Sequence, residues 1–209
     1  MGLVDTHTHL ESFARKDTLL AALARARDAD VEAMITIGTS PDDWTLYRGL
    51  ATDHSEYVYY TAGLHPCSVD AEWERAVGGL AAFWNDAALH PVALGECGLD
   101  RFHLPKEPAG ADMIFGWQRA AFSAQLELAK RLECPLVVHS RGAFRECVEM
   151  IDASGVDWAK VVFHCFTEGA LEMEELIRRG GRGSFTGIIT YKCVSRSESR
   201  SVARSSTER

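Results

Sequence analysis

The sequence predicts an α/β protein in which parallel strands alternate with helices, arranged either as a sheet covered on both faces or as a (β/α) barrel. Three observations carry this. Short apolar runs recur between longer helix-like segments, the runs are nearly continuous in apolar residues as in strands buried on both faces, and the length of 209 residues suits one domain. An eightfold barrel usually needs about 250 residues, with about 200 as the low end, so this chain reads as one strand short.

In chain order the strand candidates are Leu3–Thr6, Ala33–Ile37, Tyr57–Ala62, Val92–Leu94, Leu136–Val138, Val161–Phe163 and Gly183–Thr186. The first reads as a buried strand. Helical stretches fall between them at Asp17–Asp28, Asp42–Thr52, Glu72–Asn85, Asp112–Leu132, Ala143–Ala153 and Leu171–Arg179. Within Asp112–Leu132, Phe122, Leu126 and Ala129 form the i, i+4, i+7 stripe of a helix lying on a core. Residues 195–209 hold six Ser and four Arg, with Val202 the one large apolar side chain. Such a segment cannot fill a core. The expected organisation is therefore a folded domain over 1–192 and a disordered Ser/Arg-rich tail over 193–209.

Composition narrows the function. With 22 Lys+Arg against 30 Asp+Glu the formal charge is −8, which leaves no broad basic footprint for a polyanion; nucleic acid would be held by bound cations or a few arginines. No apolar run is long enough to span a membrane and no signal peptide is legible, so a cytoplasmic protein with six reduced cysteines is expected, without a membrane or protein partner.

The informative feature is the set of polar residues at the strand ends. His7 and His9 come after the first strand; residues two apart share a strand face, so the two imidazoles form a ready nitrogen pair for a divalent cation, although two ordinary loop histidines would read the same way. Glu96 comes after Val92–Leu94 between Gly95 and Gly98, where the backbone can turn sharply. His139 stands at the strand end in LVVHSR and His164 in VVFHCF. In a barrel all parallel strand ends share one rim, so five distant side chains converge. Four imidazoles and a carboxylate suit first-row ions, and a carboxylate can bridge two cations. The reading is a binuclear site: His7 and His9 on one ion, His139 and His164 on the other, Glu96 between. His65 in GLHP and Arg141 can contact a phosphate, Asp5 can orient an imidazole, and Asp100 is either an acceptor behind the site or a helix cap. Cys97 and Cys165 read as small buried hydrophobes.

The runs DTHTHL, GLHP, ALGECGLD, LVVHSR, FHCF and GIITYK, in this order from about Leu3 to Lys192, resemble the TatD family of metal-dependent deoxyribonucleases. The resemblance implies a distorted (β/α)8 TIM-type barrel, here lacking its eighth strand and left with about seven parallel strands. It implies a cytoplasmic, divalent-metal hydrolase of DNA phosphodiesters, with His7, His9, Glu96, His139 and His164 as ligands; the two divalent metal ions (Zn, Mn or Mg) and catalytic roles for Glu96, His65 and Arg141 are read from the residues themselves. Two departures stand out. Gly142 occupies a position usually acidic in the family, and no run like the family's metal-binding E-T-D-S-P is present. Similarity ceases near Lys192, and the tail resembles a truncated or frame-shifted end; impaired activity is then expected. The alternatives are a hydrolase of a non-DNA lactone, amide or small phosphoester on the same scaffold, a non-catalytic metal-binding remnant, and a Ser/Arg-tailed nucleic-acid-binding module.

Overall fold

A computed structural model describes residues 2–86 and 89–186. It contains a seven-stranded sheet in the order β1 (Leu3–Thr8), β2 (Val31–Thr36), β3 (Val58–Ala62), β4 (Ala93–Gly98), β5 (Leu136–His139), β6 (Val161–Phe163) and β7 (Arg182–Gly183), every neighbouring pair parallel. The helices are α1 (Glu11–Arg15), α2 (Leu19–Asp28), α3 (Pro41–Asp53), α4 (Trp73–Leu80), α5 (Pro108–Leu132), α6 (Phe144–Ser154) and α7 (Ala170–Arg179). Among the described residues this is a TIM-type barrel with seven strands. Sequential parallel strands force every connection to cross back over the sheet, so all strands end on one side. The expected tail over 193–209 and the GIITYK run lie outside the described residues.

The core falls into two clusters. Leu94, Leu99, Phe122, Leu126, Leu136, Val138, Ile151, Val161 and Phe163 are essentially inaccessible and pack in one cluster. A second cluster joins Leu23 of α2, Met34 of β2, Tyr47 of α3 and Tyr60 of β3. Helix α3 starts on Ser40 with a capping box completed by Asp43 and with Pro41 in its first turn.

Several expectations are corrected. β1 is not buried: Leu3 and Val4 are 60% and 55% exposed, because among the described residues β1 pairs with β2 alone. β1 and β4 run further than expected, to Thr8 and Gly98, so His7 and Glu96 lie within strands rather than after them. Asp17 adopts φ 55, which separates α1 from α2 in place of one helix from Asp17. α4 ends at Leu80 and passes into a tight helical turn over Ala81–Trp84, directly after Gly78 and Gly79, which are weak helix formers. α5 begins at Pro108, four residues before the expected start, because Glu107 accepts hydrogen bonds from the N–H groups of Ala109 and Gly110.

Candidate metal centre at the strand ends

The strand ends bring the expected residues to one rim, but the donor group that holds Glu96 and His139 contains His65 rather than His164. His7 sits near the end of β1 and Glu96 in β4; His139 is the last residue of β5, and His164 comes directly after β6. His9 lies just beyond β1, and His65 three residues beyond β3. Glu96 is 3% exposed and lies at the centre. Its Oε2 is 3.5 Å from His7 Nε2, and its Oε1 is 3.2 Å from His139 Nδ1. Donor atoms of His7, His9 and Glu96 lie within 4.8 Å of one another, as do those of His65, Glu96 and His139. The His7 ring stacks on His164 with centroids 3.2 Å apart and meets His9 edge-on at 5.2 Å. An open cleft of about 440 Å³, lined by His65, Glu96, His139, Arg141 and His164 among others, gives access.

β4 places Glu96 through its irregular pairing with β5. Leu94 is paired with Leu136, but Cys97 is paired with Val138, so one residue more stands on the β4 side over this interval. Gly95 and Gly98 hold φ of 145 and 134, which only glycine adopts without strain. The chain turns between them and delivers the carboxylate to the rim.

The protonation states suit a cation. Burial drives His7 down to about 3, against the pull of Glu96 and reinforced by the neighbouring imidazoles. Burial likewise brings His65 to about 4 and lowers His164. Burial alone would raise Glu96, but the hydrogen bond from His139 and the charges of His65, His7 and His164 outweigh it and hold the carboxyl at about 2. Near neutral pH the site therefore offers an anion and imidazole lone pairs, the forms that bind metal. His7 Nε2 is buried without a hydrogen-bond partner among the described residues. A buried polar atom left unpaired is costly, and a cation held jointly with Glu96 and His9 would remove that cost. The donor set fits a divalent ion.

His139 behaves differently. Burial lowers its pKa, but hydrogen bonds to Glu96 and to Asp100 raise it further than burial lowers it. Without a cation both ring nitrogens donate, Nδ1 to Glu96 Oε1 and Nε2 to Asp100 Oδ2 at 2.8 Å; with the proton kept on Nε2, Nδ1 is the nitrogen left to bind a cation beside Glu96. Asp100 is fully buried and stands behind His139; it caps no helix, since α5 is capped by Glu107. The acceptor role is one of the two readings that the sequence leaves open. His103 and Cys67 also reach Asp100 Oδ2, and no local pattern in the sequence marks either of them. Asp5 is also placed differently: its Oδ1 accepts from the backbone N–H of His7 at 3.1 Å rather than from an imidazole. Arg141 is exposed at the cleft mouth, its guanidinium 3.8 Å above the ring of Phe102.

His65 is set apart by its tautomer. Its Nδ1 accepts the backbone N–H of Cys67 at 3.1 Å, so the neutral ring carries its proton on Nε2. That nitrogen can donate but has no lone pair for a cation.

The chelator-treated protein is expected to lose stability in acid. His7 and His65 have folded-state pKa values below the ordinary 6.5, so below that pH the unfolded chain takes up protons that the folded chain refuses. Their contribution is present above pH 6.5 and is lost as pH falls toward 4 and then 3, by up to about 1.4 kcal/mol per pH unit for each group. The raised His139 acts in the opposite sense, its contribution being present below its ordinary pKa and lost as pH rises. Urea unfolding at pH 5 is expected to give a lower stability than at pH 7.5, with the difference reduced in His7→Gln. Equal or higher stability at pH 5 contradicts the burial of neutral imidazoles.

A family model described as TatD related DNase matches residues 4–209. An uncharacterized metal-dependent hydrolase TatD of Mycobacterium tuberculosis is 31% identical over 196 residues, covering 91% of this chain and 70% of its own length. A 3'-5' ssDNA/RNA exonuclease TatD of a Rahnella species is 34% identical over 173 residues, 81% of this chain; the chain spans only 61% of that relative's length. The crystal structure of YJJV, a TatD homologue from Escherichia coli K12, superposes with a TM-score of 0.80 at 27% identity, covering 93% of this chain and 72% of that one. A mutant organophosphorus hydrolase, at 16% identity and a TM-score of 0.58, shares the fold alone. No described helix is long and apolar enough to cross a membrane.

Proposed function

The chain belongs to the TatD related DNase family, and from that premise we propose that it is a divalent-cation-dependent hydrolase cleaving DNA phosphodiester bonds, acting in the cytoplasm. The observation that carries the reading is the meeting of His7, His9, Glu96, His139 and His164 at one rim, beside an exposed Arg141. His7, His9 and Glu96 would hold one cation; His139 and His164 would hold a second on the other side of the same carboxylate. Bound divalent cations supply Lewis acidity toward a phosphoryl oxygen and lower the pKa of water.

The side chains supply the rest. Arg141 presents a planar fork of N–H donors that matches a phosphate in bidentate fashion. His65, with its proton on Nε2, donates a hydrogen bond to a phosphoryl oxygen and opposes the charge that develops there. Asp100 fixes the His139 ring. Phe102, 65% exposed under the Arg141 guanidinium, offers an aromatic face beside the phosphate fork, which suits an unpaired nucleobase. Without an E-T-D-S-P-like aspartate, turnover of the 209-residue chain is expected to lie below that of a relative that carries one.

The test is hydrolysis of end-labelled single-stranded DNA with Zn, Mn or Mg present, set against lactone, amide and small phosphoester substrates. Cation-dependent shortening of the DNA, abolished by chelation, supports the reading. Turnover of a small substrate without DNA cleavage favours the non-DNA hydrolase, to which the net charge of −8 also points. Phe102→Ala is expected to raise KM for single-stranded DNA about 5- to 150-fold, as one lost base stack of about 1–3 kcal/mol does. Its kcat should stay near the parent value, and a small phosphodiester without a base should be unaffected. An unchanged KM contradicts the stacking role.

A further inference from the structure

Behind His139, on the side away from Glu96, a second set of donor atoms converges. Cys67 Sγ lies 3.6 Å from Asp100 Oδ2 and 3.6 Å from His103 Nδ1, and His103 Nδ1 is 2.8 Å from Asp100 Oδ2. All three are within 4.8 Å of one another. We propose that Cys67, Asp100 and His103 bind a thiophilic divalent cation of the zinc class, in a site separate from the group around Glu96.

The spacing is the first argument. With bonds of about 2.3 Å to sulfur and about 2.0–2.1 Å to nitrogen and oxygen, tetrahedral angles place sulfur ~3.5–3.6 Å from each of the other two donors. Both sulfur distances already match. Nitrogen and oxygen would stand ~3.3 Å apart around such an ion, so the His103–Asp100 pair has to open by about half an ångström. Only the exposed His103 ring needs to move for this, since its side chain is 51% accessible.

The construction of the site is the second argument. Asp100 is fully buried, and its Oδ2 lies 2.8 Å from both His103 Nδ1 and His139 Nε2. Its Oδ1 accepts the backbone N–H of His103, and its own N–H donates to Gln118 Oε1, so the carboxylate is anchored. Cys67 is carried on the short helical turn Pro66–Ser68, with its N–H tied to His65. Oδ2 keeps its hydrogen bond to His139 and gives a remaining lone pair to the cation. The thiol loses its proton to solvent, His103 carries its proton on Nε2, and a thiolate–metal bond forms. Because Cys67 and His103 are exposed, the fourth position faces water, and a thiolate with an imidazole selects zinc-like ions over magnesium or calcium.

Cobalt(II) titration of the metal-free chain tests this without reference to hydrolysis, so it stands or falls apart from the phosphodiesterase reading. A thiolate-to-cobalt charge-transfer band in the near ultraviolet is expected. It should be absent in Cys67→Ser, weakened in His103→Ala and retained in His9→Ala. Zinc, but not magnesium, should also slow alkylation of Cys67 by iodoacetamide, read by peptide mapping. No charge-transfer band at saturating cobalt, a band that survives Cys67→Ser, or Cys67 alkylation unaffected by zinc would each overturn the proposal.

Discussion

Glu96→Gln is expected to remove cation-dependent hydrolysis, with a loss exceeding the 10–100-fold typical of residues that merely support metal ligands, about 10²-fold or more. Glu96 is the anion placed among His7, His65, His139 and His164, and each of its oxygens faces a different imidazole. Glutamine preserves the shape but replaces one oxygen with a nitrogen that has no lone pair for a cation, and it removes the charge that offsets bound ions. The loss should therefore appear in bound metal per chain as well as in turnover. Far-ultraviolet circular dichroism should remain that of the parent. Glu146→Gln, which alters only the ion pair with Arg101 on the surface, is the control and should keep both metal and rate. A Glu96→Gln chain that retains its cations and its rate contradicts the assignment.

Gly98→Ala is expected to be the most damaging conservative change to the fold. Gly98 holds φ 134, and a Cβ there would fall on the carbonyl oxygen of His139, which already accepts the N–H of Leu99 at 3.0 Å. The strained backbone costs about 1–3 kcal/mol and the collision a further 1–3 kcal/mol or so. Against a total stability of about 5–15 kcal/mol, a large part of the folded margin disappears. Urea unfolding should show a strongly lowered midpoint, or the chain should fail to accumulate in folded form. Gly49→Ala provides the contrast. It lies in α3 with open space around the new methyl group, and it should stabilise by about 0.5–1 kcal/mol. A Gly98→Ala protein with an unchanged midpoint would show that β4 is not held against β5 as described.

Much of the rim is legible in the sequence because its residues occupy predictable places. His7, His139 and His164 stand at strand ends, and parallel strands bring their ends together whatever lies between them in sequence. What sequence cannot supply is register and ring orientation. The pairing shift between Leu94 and Cys97 depends on β5, some forty residues away, so Glu96 can be located near a strand end but not within a bulged strand. Asp100 offers two readings, and only its burial against His139 and His103 separates them. The Cys67–His103 pairing joins two loops over 36 residues and leaves no local pattern. Hydrophobic pattern locates β1 but misjudges its burial, because exposure there depends on which strands flank it. The start of α5 is missed because capping by Glu107 extends the helix beyond its apolar stripe.

The central claim is that Glu96 and the surrounding imidazoles form a cation site, and anomalous diffraction from crystals grown with manganese or zinc tests it most directly. The expected map has density beside Glu96, within bonding distance of His7 and His9 on one side and of His139 on the other. Ions found only elsewhere, with none in reach of Glu96, would contradict it.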